Sequence, residues 1–475
     1  MAYFSWQEDN RDIVTSGDGR DVLGVLLSFD IFKWVDHLAD YWGISRTLFM
    51  SILFCGLLGV ISDEVPNLAT YTIEWLIGTS PVWLPIGLAI GAWKVWVWYA
   101  RSLFLSKQKG VLLEMKVPRE VSRSPRAMEL ALTMLWTNAG ETTFYLRIWK
   151  GQTRPFYSLE VASFGGHVRF FVWCRDRDKN VIESMLYAYY PEIELHEVED
   201  YSMKYEYDPD KYMVFCTGWR YEPRSDAFPI KTYIDFELDK DPKEEFKIDP
   251  LAEIFEFMSN LKPQEQIWMQ IIFTLNKDKR HKKGSLYESE ARWVSLIKEE
   301  VAKIRKDAAL NPGKEHAPET DERKYGFPRP TWSQTEQIMT MERNMGKLPF
   351  SVGMRGVYIA EKKYFHGPNY NALRWIWRPI GNPLYLNQLR PRRGHNSYDW
   401  PWQDYRGFRW NLEARRFFDA YRRRSFFYPP WITPHMMMST EVLATLWHPP
   451  SRSITAPGIQ RMPATKAEPP ANLPR

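Results

Sequence analysis

Two uncharged apolar runs near the N-terminus constrain this chain more than any other feature. The first, 47–62, reads TLFMSILFCGLLGVIS, and the second, 75–93, reads WLIGTSPVWLPIGLAIGAW. As helices they would be about 24 Å and about 28 Å long at about 1.5 Å per residue, close to the thickness of the bilayer hydrocarbon core. The pair predicts an N-terminal two-helix transmembrane hairpin. Pro81 and Pro85 are expected in the first turn of the second helix or at a kink.

The charges around the hairpin predict its orientation. The loop between the runs carries Asp63 and Glu64 but no lysine or arginine, and Glu74 precedes the second run. Basic residues follow the second run at Lys94, Arg101, Lys107, Lys109, Lys116 and Arg119. The positive-inside rule therefore predicts a two-pass protein of the cell (inner) membrane with most of the chain in the cytoplasm. Two core helices of a soluble protein are the alternative.

Composition narrows the class of protein only slightly. With 475 residues and 44% hydrophobic residues, the chain can bury several cores. Three widely spaced cysteines, Cys55, Cys174 and Cys216, suggest buried thiols rather than a disulfide framework or a zinc site. The 15% aromatic content is typical of chains that meet lipid, nucleic acid or large partners.

Beyond the hairpin, the periodicity predicts a ferredoxin-like unit. Strand alternation over 111–117 precedes a helix that starts at Ser124 and Pro125, and alternation over 157–161 and 168–174 flanks the glycine turn Gly165-Gly166. Apolar residues at helical spacing then end at Pro191, and the apolar residues of 193–198 have the period of a strand. Strand, helix, strand, strand, helix, strand is the split βαβ order.

A second α+β unit of similar type is predicted from about 213 to 360, which suggests an internal duplication. Residues 232–238 alternate as in a strand, Asp249 and Pro250 cap a helix, and QIWMQIIFTL indicates a buried strand. A charged helix over 287–307 then leads into a loop. A helix over 333–345 and a strand over 350–360 complete the unit.

Positive charge is concentrated between Arg374 and Arg424. This segment has twelve arginines, no lysine and four acids, a net +8, which leaves about −3 of the total +5 for the rest of the chain. Arginine with interleaved aromatic rings suits phosphate contact and base stacking. The same combination of arginine and aromatic residues also suits a subunit interface or contact with acidic lipid, and the sequence does not choose among the three. The candidate nucleic-acid or interface residues are Arg390, Arg392, Arg393, Arg406, Arg409, Arg415, Arg416, Arg422, Arg423, Arg424, Trp400, Trp402 and Trp410.

Several kinds of chemistry have no signature in the sequence. No GxxxxGK[ST] P-loop occurs, HExxH and GxSxG are absent, and the nine histidines are scattered. We therefore expect no catalytic residue, no metal site and no cofactor in this chain. His448, at the end of a predicted helix, is expected to face the helix C-terminus or to serve packing.

Several short motifs resemble a known family when they are taken together. LLEMKVPREVSRSPRAMELAL after the hairpin, MRGVYIA, AYRRRSFFYPP, STEVLATLWHPP and AEPPANLP resemble the N-terminal region of type IV secretion or conjugation ATPases related to coupling proteins, a hexameric DNA-pumping class. The resemblance covers about 81–474. The family element is close to NTEELATLYHFP, and Val442 stands here where the family has an acid.

The resemblance implies a non-catalytic, membrane-anchored, homo-oligomeric subunit whose partners are the membrane, a P-loop DNA-pumping ATPase in trans and DNA. In fused relatives the ATPase core follows PPANLP, where this sequence ends. The resemblance therefore implies that the ATPase is a separate polypeptide, which docks at Thr440, Glu441 and His448. An envelope scaffold without nucleic acid and a membrane enzyme with a catalytic ferredoxin-like domain are the alternatives.

The expected fold class is α+β, with the transmembrane hairpin followed by ferredoxin-like α/β-sandwich modules and an Arg/aromatic-rich helical segment. The predicted segments are a cytoplasmic N-terminal segment (1–46), the transmembrane hairpin (47–105), a ferredoxin-like βαββαβ domain (107–205), a second α+β domain with a charged helix and loop insertion (206–365), the Arg/aromatic-rich helical segment (366–438), and a C-terminal helix with a proline-rich linker (439–475).

Overall fold

The computed structural model describes most of the chain beyond the first predicted span. The described residues are 56, 68–118, 123–137, 143–240, 248–281, 289–309, 330–393, 400, 402–450, 454 and 456–462. The predicted N-terminal segment, the first predicted span except Gly56, and the predicted loop over 311–329 lie outside these residues, as does Cys55.

The described residues form a mixed helix and sheet protein. The helices are α1 (Leu68–Ser106), α2 (Pro125–Met134), α3 (Phe144–Ile148), α4 (Lys179–Tyr189), α5 (Leu251–Ser259), α6 (Arg292–Ala309), α7 (Trp332–Met345), α8 (Gly367–Trp375), α9 (Phe408–Arg422) and α10 (Thr440–Leu446). The strands are β1 (Gly110–Pro118), β2 (Phe156–Phe164), β3 (His167–Arg175), β4 (Glu194–Val198), β5 (Tyr212–Glu222), β6 (Glu265–Leu275), β7 (Lys279–His281), β8 (Ser289–Ala291), β9 (Pro349–Glu361), β10 (Gln388–Arg393), β11 (Met436–Ser439) and β12 (Arg461–Met462).

One large sheet organises the described residues. Its strand order is β10-β5-β9-β6-β2-β3-β1-β12, with β11 paired to β9 and β4 paired to β1. All of these pairs are antiparallel except β1 with β12, which is parallel. The two predicted halves meet where β2 pairs with β6, from Phe156 opposite Thr274 to Phe164 opposite Gln266. The halves therefore share one continuous sheet.

The strand alternation gives each face of this sheet its own core. On β6, Ile267, Met269, Ile271 and Phe273 point into the larger core, which α2, α4, α5, α8 and α10 cover. The alternate residue Trp268 points to the opposite face, where Phe418 and Tyr421 of α9 pack against it. α6 and α7 form a separate cluster with residues such as Phe228 and Met437. The opposite face is thus the one that carries α9.

Most predicted elements are confirmed, because their apolar residues face a core with the expected period. β1, α2, the β2–β3 hairpin, α4, β4, β6, α7 and β9 lie within a few residues of their predicted positions. Gly165 and Gly166 have positive φ values of 59° and 91°, as the hairpin turn requires. Cys174 and Cys216 are buried thiols, as predicted.

Three local predictions are wrong. Residues 232–238 form turns instead of a strand, because the Asp235 carboxylate accepts the Thr232 backbone N–H at 2.7 Å and closes a local turn. Pro81 and Pro85 lie well inside α1, which begins at Leu68, so they are not in its first turn, and the alternative of a kink stays a prediction. The charged helix starts at Arg292 because β8 takes up the preceding residues.

The C-terminal third also departs from prediction. The segment 366–438 is not only helical, since β10 pairs with β5 and β11 pairs with β9. Part of the predicted linker returns to the sheet, where β12 pairs with β1 and the Val168 N–H donates to the Gly458 carbonyl at 2.9 Å. Proline content could not reveal this pairing, because it joins residues far apart in the chain.

Candidate functional site

α1 is an exposed apolar helix. Its segment Ile77–Ser106 has the length and composition of a candidate membrane span, and the most apolar part of that segment is not buried by the rest of the protein. Many large apolar side chains of α1 are exposed by 40% or more, including Trp75 at 70%, Leu88 at 64% and Ile86 at 58%. A continuous apolar surface of this kind is unusual on a water-soluble protein and is typical of contact with lipid.

The C-terminal end of α1 is packed into the folded domain. Ala100 is buried against Gly151, whose φ is +63° and where a Cβ would lie 2.3 Å from the Ala100 carbonyl carbon. The Arg101 guanidinium lies over the Tyr428 ring at 5.8 Å, and Arg175 lies over Phe104 at 5.8 Å. These contacts hold α1 at a fixed angle to the sheet.

The predicted basic and aromatic residues fall into different environments. Arg390 and Arg392 lie on the edge strand β10, where Arg390 pairs with Glu222 and burial lowers the pKa of Arg392. Arg393 ends the same strand. Trp400 and Trp402 are exposed and stacked on each other, with ring centroids 4.8 Å apart.

The remaining predicted residues of this group lie in or beside α9. Arg406, in the turn before the helix, has a left-handed φ of 55° and lies over the Tyr405 ring. Trp410 is half-buried against Phe215, and half-buried Arg422 contacts the Met203 sulfur. The exposed arginines of the helix and its C-cap are Arg409, Arg415, Arg416 and Arg423.

Three of these exposed arginines lie on one stripe of α9. Arg409, Arg416 and Arg423 are seven residues apart, a spacing that returns to the same helix face. Arg416 lies over the Trp431 ring at 5.7 Å, and Arg423 pairs with Asp419 at 2.8 Å. We call Arg409, Arg415, Arg416 and Arg423 the basic stripe, with Arg415 beside Arg416. A large anionic partner can reach this stripe, as it can reach the exposed Arg390, Arg406, Trp400 and Trp402.

Arg424 is different, because it is buried. Its Nε donates to Glu160 Oε1 at 2.9 Å and its Nη2 donates to Glu160 Oε2 at 3.1 Å, a bidentate pair. It also donates to Asp200. Burial by itself would raise the pKa of Asp200, but Arg424 and the bonds from Ser202 bring that pKa below its usual value. Arg424 therefore fixes the end of α9 to the sheet and is not available to a partner.

The Arg424 pair belongs to a polar row that crosses the sheet. Glu160 on β2 lies opposite Gln270 on β6, and Gln270 lies opposite Arg355 on β9. Gln270 Nε2 donates to Glu160 at 2.7 Å, and Arg355 Nε donates to Gln270 at 2.7 Å. Arg355 also donates to the Ala420 and Ser425 carbonyls at the end of α9. Sequence reasoning missed this row, although one charged residue inside the apolar run YSLEVASF was a signal of it.

The three predicted docking residues are buried in and after α10. Thr440, Glu441 and His448 are exposed by at most 3%. Glu441 accepts from Thr232 Oγ1 at 2.6 Å and lies 3.0 Å from Arg343 Nη2, and burial raises its pKa. In this fold these side chains offer no surface to a partner, so their docking role stays a prediction that would require α10 to move.

His448 is held between two acceptors. Its Nδ1 lies 2.9 Å from the Ala444 carbonyl oxygen, and its Nε2 lies 3.0 Å from Asp249 Oδ2. Only the imidazolium can donate from both nitrogens. Burial opposes this charge, but the Asp249 carboxylate and the Ala444 carbonyl outweigh it and raise the His448 pKa above its usual value.

This arrangement predicts how stability depends on pH. Because the folded pKa of His448 is raised, its contribution to stability is fully present below about pH 6.5 and is lost as pH rises through the folded pKa. We expect His448→Gln to remove that loss, so that the melting temperature changes less with pH from pH 6.5 upward. The measurement is the melting temperature of the full chain in detergent across this range. His167→Gln, at an exposed position, is the control, and an unchanged profile in His448→Gln would contradict the prediction.

The described residues contain no group of three or more histidine, cysteine, aspartate or glutamate side chains that could hold a metal ion. No protein-family model matches the sequence, and no curated protein is significantly similar to it.

Proposed function

We propose that this chain is the membrane-anchored, non-catalytic subunit of a DNA-translocation machine of the type IV secretion and conjugation class. It would act as a homo-oligomer that holds a separate P-loop ATPase at the cytoplasmic face of the membrane. The observation that carries the proposal is α1, an exposed apolar helix whose far end is packed into a folded domain. An enzyme needs a catalytic constellation, whereas an anchored platform needs only a span, a rigid connection and binding surfaces.

The finer architecture is part of the same proposal. In the first half, the strands in the order β4-β1-β3-β2 with helices α2 and α4 correspond to a ferredoxin-like module. In the second half, the order β10-β5-β9-β6 with α5 and α8 repeats this arrangement, with α6 and α7 inserted between β6 and β9. We infer two related modules joined edge to edge through β2 and β6.

The two-pass topology is also proposed, with 47–62 as the first span and α1 as the second. Basic residues after α1 and acidic residues before its apolar run favour a cytoplasmic location for the domain. Tags at both termini, probed by protease in sealed spheroplasts, test the arrangement. Protection of both tags supports it, and cleavage of the N-terminal tag alone would limit the chain to one span.

The basic stripe supports contact with DNA. Its arginines are exposed on the sheet face that carries α9, and the exposed Trp400 and Trp402 rings precede the helix and could stack on unpaired bases. Arginine forks bind phosphate bidentately. The proposal therefore assigns α9 and the preceding Trp400 and Trp402 to single-stranded DNA.

Charge reversal tests this assignment. We expect Arg409→Glu, Arg415→Glu and Arg416→Glu together to weaken binding of single-stranded DNA by at least about 100-fold at low salt. The slope of log affinity against log salt should fall by about 2, because each lost phosphate contact removes about 0.7 from it. The measurement is fluorescence anisotropy of a labelled oligonucleotide with the full chain in detergent.

A matched control separates a DNA site from overall charge. Lys298→Glu, Lys303→Glu and Lys306→Glu change the net charge equally at exposed positions of another helix, α6. We expect this variant to retain most of its DNA affinity. Equal losses in the two variants would remove α9 from the proposal.

A second candidate is an envelope scaffold that does not contact nucleic acid. It is favoured by the internal pairing of several arginines, since Arg424 is buried with Glu160, Arg390 pairs with Glu222 and Arg423 pairs with Asp419. Purification of the full chain with the P-loop ATPase encoded beside it distinguishes the two. Capture of the ATPase in detergent supports the translocation machine. If the chain binds neither the ATPase nor DNA at low salt, the envelope scaffold is the function that remains.

A further inference from the structure

A short helix lies against α1 where the uncharged apolar run ends. The Phe144 ring of α3 stacks on Trp93 with centroids 6.2 Å apart, and Trp149, just after α3, meets Trp96 edge-on at 5.5 Å. Trp93 is the last residue before Lys94, the first charge after the apolar run. α3 is therefore placed at the level where a spanning α1 would leave the hydrocarbon.

The side chains of α3 are exposed although most of them are apolar. No residue of Phe144–Ile148 is buried, and Phe144, Tyr145 and Trp149 are each more than half exposed. With Trp93 and Trp96 they make a group of five rings at the end of the apolar run, two pairs of which are in contact, and we call this group the aromatic collar. α3 is held by the Thr143 cap and by ring contacts with α1, without a core of its own.

The two chain segments that carry the aromatic collar have charges of one sign. The stretches 93–101 and 144–150 contain Lys94, Arg101, Arg147 and Lys150 and no acidic residue. The Lys150 Nζ lies over the Tyr145 ring at 5.7 Å. Exposed aromatic rings with lysine and arginine are typical of the interface between hydrocarbon and headgroups, and basic residues there attract anionic lipids.

We propose that the aromatic collar is a lipid-binding surface that inserts among the headgroups of an anionic bilayer surface. The proposal rests on the anchoring role of α1 given above and extends it. The aromatic collar continues directly from the apolar run, so the bilayer that surrounds the run is also the partner of the collar. Residues 75–93 then cross the hydrocarbon and 96–106 stand outside it. Because Gly151, two residues after Trp149, packs against Ala100, the collar also fixes the height and tilt of the sheet above the membrane.

A fluorescent label on the collar tests this inference. The full chain carries Cys55→Ser and Tyr145→Cys, labelled with an environment-sensitive maleimide dye and reconstituted into vesicles of phosphatidylcholine and phosphatidylglycerol. The remaining thiols are buried, and burial raises the pKa of the Cys174 thiol to about 12, so they do not compete for the dye. We expect blue-shifted emission that lipids with headgroup-proximal nitroxides quench at least about twofold.

The control places the same dye at Leu384→Cys, a 75% exposed position in the turn before β10. It should keep aqueous emission and resist lipid quenching. Arg147→Glu with Lys150→Glu in the Tyr145→Cys chain should reduce the quenching in anionic vesicles and leave it little changed in pure phosphatidylcholine.

The outcomes separate this inference from the proposed function. If the chain floats with vesicles but the dye at position 145 is as aqueous as the dye at 384, the collar proposal fails and the anchor stands. A blue shift without lipid quenching would indicate a protein contact and would also overturn it. A chain that does not associate with vesicles at all fails as an anchored subunit.

Discussion

Arg424→Met is expected to lower the free energy of unfolding by about 3–5 kcal/mol, the range for breaking a buried ion pair by removal of one partner. Arg424 is 2% exposed, and Glu160 is fully buried. The substitution preserves most of the side-chain volume, but it leaves the Glu160 carboxylate without its cation. The end of α9, which Arg424 and Arg355 hold against the sheet, should loosen. Chemical denaturation of the full chain in detergent, followed by tryptophan fluorescence, measures the effect.

The neighbouring arginine is the matched control. Arg423 is exposed and forms a surface pair with Asp419, so Arg423→Met should cost about 0.5 kcal/mol or less. Adding Glu160→Gln to Arg424→Met removes the buried charge, and the two substitutions together should cost less than the sum of the single effects. Equal losses in Arg423→Met and Arg424→Met, or strict additivity with Glu160→Gln, would contradict a buried pair.

Ile86→Arg with Ile90→Arg is expected to prevent α1 from crossing the bilayer. Each arginine near the centre of a span costs about 2.5–3.5 kcal/mol on the insertion scale, so the pair costs about 5–7 kcal/mol. Both residues are more than half exposed, at 58% and 53%, and neither belongs to a core formed by the described residues. The variant should therefore keep its domain and lose its span.

A cysteine at Glu74, which precedes the apolar run, reports the crossing. In the two-pass arrangement a Glu74→Cys chain reacts with an impermeant maleimide added outside intact spheroplasts. With Ile86→Arg and Ile90→Arg, residue 74 and a C-terminal tag should lie on the same side of the membrane, so that they are either both protected from outside or both accessible. Ile86→Ala with Ile90→Ala at the same positions should remain reactive. Persistent reactivity at position 74 together with a C-terminal tag that stays protected in the arginine variant would show that the chain still crosses after residue 74, which would contradict the prediction.

Local patterns predicted individual elements well because each depends on nearby residues. The alternation over 111–117 and QIWMQIIFTL predicted β1 and β6, and Ser124 with Pro125 predicted the start of α2. The failures were the places where a nearby side chain or a distant segment took up the backbone hydrogen bonds. The alternation over 232–238 gave way to an Asp235 turn, and β12 joined the sheet from within a predicted linker.

The candidate site was predicted less well. The sequence located the arginine-rich segment, but it could not separate Arg423 from Arg424. The carboxylates that bury Arg424 lie 264 and 224 residues away in the chain, at Glu160 and Asp200. The same applies to Thr440 and Glu441, whose motif suggested a docking surface and whose side chains lie inside the fold.

The sequence by itself determined the long apolar run of α1 and the residues that can form strands and helices, since hydrophobicity and periodicity are properties of neighbouring residues. Only the tertiary structure decided which arginines face solvent and which close a buried network. It also decided that α3 lies beside α1 at the end of the apolar run. Both outcomes depend on contacts between distant segments, and burial, which sets the energy of a charge, exists only once those segments have packed.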